Sequence, residues 1–170
     1  MVRSVYWDSC CFIGLINKEK GRHGDLRAVY EAAEGGELVI VTSTLTFSEV
    51  CKVRCDEGSG QPRNKMSEDG DSYLDVFFDN DFFWPIEVST SIAIQARKLF
   101  RRHREIGIVN DAIHLATALA ENVDEMHTYD GNDLLGLSGK IMTANGDPLV
   151  IRPPKPFQGS LMTHEPESTS

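Results

Sequence analysis

The stretch "ELVIVTS", residues 37–43, is a nearly continuous apolar run. A strand without polar alternation is buried on both faces, the condition inside a parallel sheet covered by helices. Before it, "DLRAVYEAAEGG" repeats Leu26, Val29, Ala32 and Ala33 at helical spacing and stops at Gly35-Gly36. After it, "TLTFSEVCKVRC" reads as the next helix, with Ser43 or Thr44 as its cap. Helix, buried strand and helix in succession point to an α/β chain.

The rest of the chain extends the pattern. "RSVYWD" is a short strand ending at Asp8, and "SCCFIGLIN" is helical with Ser9 placed to cap it. Gly21 to Gly24 marks a turn. The polar segment "DEGSGQPRNKMSEDG", about residues 56–70, reads as a surface loop. "DSYLDVFFDN" is expected to be a helix and "FFWPIEVS" a strand, which Pro85 assigns to an edge or an irregular stretch. "TSIAIQARKLFRRHREIG" is an amphipathic helix capped by Thr90 or Ser91, and "VNDAIHLATALAEN" is a small-residue helix with Asn110 as a possible cap. "EMHTYD" is a strand, "DLLGL" a helical turn and "PLVIR" a last strand; residues 153–170 read as a flexible tail. The expected fold is a Rossmann-type α/β sandwich over residues 1–152, with a mostly parallel central sheet flanked by helices.

With 26 acidic and 17 basic residues the formal charge is −9, the reverse of the basic footprint usual for phosphate recognition. A bound divalent cation among clustered carboxylates would invert that charge locally. No targeting signal or bilayer-spanning run is visible, so the expected location is the cytoplasm, without membrane contact. Four cysteines with no Cys-x-x-Cys pair fit free, wholly or partly buried thiols better than a zinc site or a disulfide framework. No P-loop or G-x-G-x-x-G is present.

Ligands of such sheets sit beyond the carboxyl ends of the strands. Asp8 and Asp130 end two strands there, Asp133 follows one turn later, Glu49 lies in the helix after the second strand, and Asp111 opens a buried helix. Each acid taken singly has an ordinary structural role: Asp8 a cap, Asp111 a first-turn residue, Asp130 a turn residue. If they converge, the cluster suits Mg²⁺ or Mn²⁺, hard cations that prefer oxygen ligands, and with them the hydrolysis of a phosphodiester.

Four stretches carry a more specific likeness. Through "VYWDSCCFIGLI", "TSTLTFSEV", "VNDAIHLATAL" and "HTYDGNDLL", from Val5 to about Leu137, the chain resembles PIN-domain nucleases, specifically the VapC-type toxins of bacterial toxin–antitoxin pairs. The resemblance implies an acidic quartet of Asp8, Glu49, Asp111 and Asp130, with Ser9 and Thr128 supporting the first and fourth acids. It also implies Mg²⁺ or Mn²⁺ and an endoribonuclease that cuts by a metal-activated water, leaving a 5′-phosphate and a 3′-hydroxyl. Asp8, Asp111 and Asp130 would hold the metal, Glu49 would orient the water or a second ion, and Asp133 would replace or assist Asp130. An RNA substrate, an antitoxin protein and a homodimer are the partners it implies. The loop and tail make the chain longer than compact toxins of this type.

His114, one turn after Asp111, either touches the phosphate, holds a ligand by a hydrogen bond, or simply packs. "RKLFRRHR" places Arg97, Arg101 and Arg104 on one expected helical face as possible RNA contacts, with Lys52 and Arg54 beyond Glu49. The same cations would also complement a helix dipole. Trp7 and Phe12 read as core; the aromatic run Phe77, Phe78, Phe82, Phe83 and Trp84 is a candidate lining for a groove that accepts an antitoxin peptide, but reads better as core. The alternative to a nuclease is a catalytically silent PIN-like binding or scaffold module, against which the retention of all four acids argues. An aspartyl phosphotransferase fits poorly, because Ser9-Cys10 follows Asp8 where a second Asp would stand two residues on.

Overall fold

A computed structural model describes residues 2–50, 68–131 and 133–156. Five strands, β1 (Arg3–Trp7), β2 (Leu38–Ser43), β3 (Phe83–Ile86), β4 (Glu125–His127) and β5 (Val150–Arg152), form one sheet in the order β3-β2-β1-β4-β5. Every neighbouring pair is parallel. Among the described residues six α-helices flank them: α1 (Ser9–Ile16), α2 (His23–Glu34), α3 (Leu45–Glu49), α4 (Glu68–Phe78), α5 (Thr90–Arg102) and α6 (Val109–Ala120). This is the expected α/β sandwich with a parallel sheet.

Alternation along the central strands divides the core in two. Val5 and Trp7 of β1, with Leu38 and Ile40 of β2, pack on α1 and α2 around Phe12, Leu26 and Val29. Tyr6 and Val41 point the other way, onto Ile92 and Ala96 of α5 and Ala112, Leu115, Ala116 and Leu119 of α6. The small residues of α6 let the backbones of α5, α6 and the sheet approach closely. Trp7 and Phe12 are fully buried and Phe83 nearly so, whereas Trp84 on the edge strand is 51% exposed and leaves the expected core. Pro85 lies in β3, the edge strand its missing N–H requires.

Several local expectations are corrected. Asp8, not Ser9, caps α1, its Oδ1 accepting the Cys11 N–H at 3.2 Å. Ser89 caps α5 by accepting Ile92 N–H at 3.3 Å, because the helix already includes Thr90 and Ser91. Asn110 lies inside α6 and spends its side chain elsewhere; the N-cap position is Ile108, which offers no side-chain acceptor. Helix α2 starts at His23, so the expected break at 21–24 holds for Gly21 and Arg22 and its last two residues are already helical. Strand β4 ends at His127, leaving Thr128 to Asp130 outside it. Residues 68–70, expected in the loop, belong to α4. The helix α3 ends at Glu49 with Val50 as its C-cap. Its expected continuation, with Cys51, Lys52, Arg54 and Cys55, the loop to residue 67 and the tail from 157 lie outside the described residues.

The strand order runs outward from β1 in both directions, so the connections diverge between β1 and β4. Such a switch point opens a crevice at the carboxyl ends of the strands. Trp7 is in register with His127, which puts Asp8 beside Thr128 at that crevice.

Candidate metal centre

Three carboxylates meet at the switch point. Oxygens of Asp111, Asp130 and Asp133 all lie within 4.8 Å of one another. Asp111 enters from the first turn of α6, and the other two from the turn after β4. That turn is built locally: Asp130 N–H donates to Thr128 Oγ1 at 2.9 Å, and Asp133 N–H donates to Asp130 Oδ1 at 3.1 Å. Asp133 Oδ2 accepts Gly107 N–H at 2.9 Å, which ties the turn to the loop between α5 and α6. A Cβ on residue 107 would stand 2.6 Å from the same oxygen, so any larger residue there displaces the Asp133 carboxylate.

This crowding has an electrostatic signature. Burial, followed by the neighbouring charges of Asp130 and Asp133, pushes the Asp111 carboxyl up from 3.8 to about 7. Asp111 Oδ2 is buried and, among the described residues, has no hydrogen-bond partner. A buried orphan oxygen facing two further carboxylates is costly without a cation. Asp8 adds to the repulsion on Asp111 but does not join the trio at that spacing. Its own Oδ1 is engaged by Cys11 N–H and by the Cys10 thiol, whose Sγ is 2.8 Å away.

Glu49 stands apart from the trio and is held by polar neighbours. Asn110 Nδ2 donates to its Oε1 at 2.7 Å, His114 Nε2 lies 2.7 Å from its Oε2, and Ser9 is hydrogen-bonded to it as well. Burial alone would raise its pKa, but these bonds, led by His114, outweigh it and hold Glu49 below the usual carboxylate range. The other His114 nitrogen, Nδ1, is 2.8 Å from the Tyr6 hydroxyl. With the Tyr6 O–H donating to Nδ1, a neutral ring carries its proton on Nε2 and donates it to Glu49. His114 is 2% exposed, so it braces Glu49 from inside the core and does not face solvent.

The structure thus brings together Asp111, Asp130 and Asp133, sets Asp8 alongside, and places Glu49 on its own network. Ser9, expected to support Asp8, is bonded to Glu49. Helix α5 ends at Arg102 and His103 is extended, so Arg104 does not share the helical face of Arg97 and Arg101. All three arginines are exposed and form no ion pair among the described residues. Sequence reading missed Tyr6, Gly107 and the Asn110–Glu49 bond. No local signal marks them, because each acts on a residue far away in the chain.

A family model for the PIN domain matches residues 5–134. Among solved structures, VapC20 of Mycobacterium tuberculosis, a sarcin–ricin loop cleaving toxin, gives a TM-score of 0.57 at 17% identity, over 75% of this chain and 91% of that one. A toxin–antitoxin complex from Klebsiella pneumoniae gives 0.54 at 22% identity, over 78% and 92%. VapBC2 from Rickettsia felis, bound to a DNA fragment from its promoter, gives 0.52 at 19%, over 75% and 88%. Identities this low carry the fold. No curated protein sequence matches the chain.

Proposed function

Since the chain belongs to the PIN-domain family, we propose that it is a divalent-metal-dependent endoribonuclease, the toxin of a toxin–antitoxin pair. The observation that carries the metal is the buried orphan Asp111 Oδ2, one of three carboxylates within 4.8 Å of one another. The donor set fits a hard cation: it is all oxygen, and backbone N–H groups hold two of its three carboxylates, Asp130 and Asp133. Asp111, Asp130 and Asp133 would hold Mg²⁺ or Mn²⁺, with Asp8 at the edge. When bound, such an ion makes water a nucleophile at neutral pH and neutralises phosphoryl oxygens.

The chain's own residues do the rest. Gly107 and Thr128 fix the turn that presents Asp130 and Asp133. His114 and Asn110 hold Glu49 ionised and oriented, so that it can accept a proton from, or align, an attacking water. Tyr6 keeps the His114 ring in the tautomer that does so. Arg97, Arg101 and Arg104 lead into the loop that touches Asp133 and offer the phosphate backbone contacts that the −9 net charge otherwise lacks. The antitoxin partner is supported by the neighbouring folds, one of which is a toxin–antitoxin complex. Among the described residues, no helix is long and apolar enough to cross a membrane.

The test is cleavage of a mixed single-stranded and structured RNA pool with Mg²⁺, Mn²⁺ or EDTA, comparing the parent with Asp8→Asn and Asp111→Asn. Cleavage that needs metal and disappears in both variants supports the nuclease. Cleavage that survives both substitutions refutes this site. No cleavage with any metal favours the catalytically silent binding module.

A further inference from the structure

Beside the carboxylate trio, α1 sets two adjacent thiols on the first acid. Cys10 Sγ lies 2.8 Å from Asp8 Oδ1. Both sulfurs and an Asp8 oxygen are within 4.8 Å of one another, a second group separate from the trio. The Tyr129 N–H donates to Cys10 Sγ at 3.2 Å, and Thr128 Oγ1 is 3.8 Å from the same sulfur. Contacts of this kind orient metal-ligating groups. The Cys11 thiol donates to His127 O at 3.4 Å and is also hydrogen-bonded to Cys10 and Asp8; burial raises its pKa, so a bound cation would have to displace its proton.

We propose that Asp8, Cys10 and Cys11 form a site for one thiophilic divalent cation, Zn²⁺ or Cd²⁺, which competes with Mg²⁺ or Mn²⁺ for Asp8. Softness separates the two sites: thiolates select zinc and cadmium, whereas an all-carboxylate trio suits magnesium and manganese. The geometry is within reach. A tetrahedral zinc ion about 2.3 Å from sulfur needs ligand atoms roughly 3.5–4 Å apart, so only small side-chain adjustments separate the observed group from a ligand set. A water completes it. On binding, both thiol protons pass to solvent as the two metal–sulfur bonds form. Asp8 contributes to both sites, so filling the soft one withdraws a ligand from the other. Cation binding stands independently of the nuclease reading; only the competition rests on it.

The test uses the full chain carrying Cys51→Ser and Cys55→Ser, which removes the two thiols outside the described residues. Cd²⁺ is titrated and followed by equilibrium dialysis and by the sulfur-to-cadmium charge-transfer absorbance. One Cd²⁺ per chain with that band is expected, with affinity falling more than about tenfold in Cys10→Ser, as for lost metal-site contacts. Cys10 is only half-buried, so this variant carries the test even if Cys11→Ser misfolds. Asp111→Asn should retain both the cadmium and the band. A parent without the band, or a Cys10→Ser variant that binds equally well, overturns the proposal. Inhibition of RNA cleavage by Cd²⁺ in the parent, absent from Cys10→Ser, supports the competition. An inactive chain that still shows the band removes the nuclease reading and leaves the cation site standing.

Discussion

Replacing Asp111 by Asn should make the metal-free protein more stable at neutral and alkaline pH, although it removes the central carboxylate. In the native chain the Asp111 pKa is raised from 3.8 to about 7 by burial and by Asp130 and Asp133. The folded state therefore keeps a proton that the unfolded state loses above about pH 4. The stability contributed by that proton is fully present below pH 4 and is lost as pH rises through 7. A shift of about three units corresponds to a ceiling of about 4 kcal/mol. The trio is partly open to water, and screening reduces this to roughly 1–2 kcal/mol. Asn keeps the shape, carries no charge, and can donate to a neighbouring carboxylate. Urea denaturation in EDTA at pH 4, 6 and 8 measures the difference. Parent and Asp111→Asn should agree at pH 4, and the variant should be more stable by about 1–2 kcal/mol at pH 8. Adding Mg²⁺ or Mn²⁺ should stabilise the parent and reverse the order. A variant that is equal or less stable at pH 8 without metal would refute the electrostatic account of the cluster.

Three further outcomes are expected. His114→Ala removes one hydrogen-bond partner each from the Tyr6 hydroxyl and Glu49 and opens a cavity, so the urea midpoint should fall by an amount equivalent to about 2–4 kcal/mol. Gly107→Ala forces Asp133 aside, because its Cβ would stand 2.6 Å from Oδ2. Mn²⁺ affinity read by electron paramagnetic resonance should drop about 10- to 100-fold with little change in helicity. Glu125→Gln tests a separate network in which Glu125 binds Arg3, Arg152 and His127. Burial opposes ionisation of Glu125, but His127 and Arg152 prevail and lower its pKa to about 2. Its stabilisation is present above about pH 4.5 and lost as pH falls toward 2, so the variant should be about 2–3 kcal/mol less stable at pH 7. That gap should close in acid, as read from denaturation midpoints across pH.

What the chain determined locally was its alternation of elements and the acids at strand ends and helix starts. "LVIVTS" is apolar on both faces and so lies inside the sheet, Pro85 places its strand at the edge, and the small residues of α6 demand close packing. These depend on neighbours a few residues away, which is why they were legible. Capping was read one residue late at Asp8 and one or two late at Ser89, because several hydroxyls and carboxylates stood close enough to compete for the same N–H groups. What only the tertiary structure decided was the division of labour among the acids. Asp133 joined Asp111 and Asp130 because the loop at Gly107 holds it there. Glu49 was drawn away by Asn110 and His114, more than sixty residues further along the chain. Asp8 turned its oxygen toward two thiols. Side-chain hydrogen bonds act over about 3 Å of space, and no spacing in the sequence encodes which distant groups a parallel sheet will bring that near.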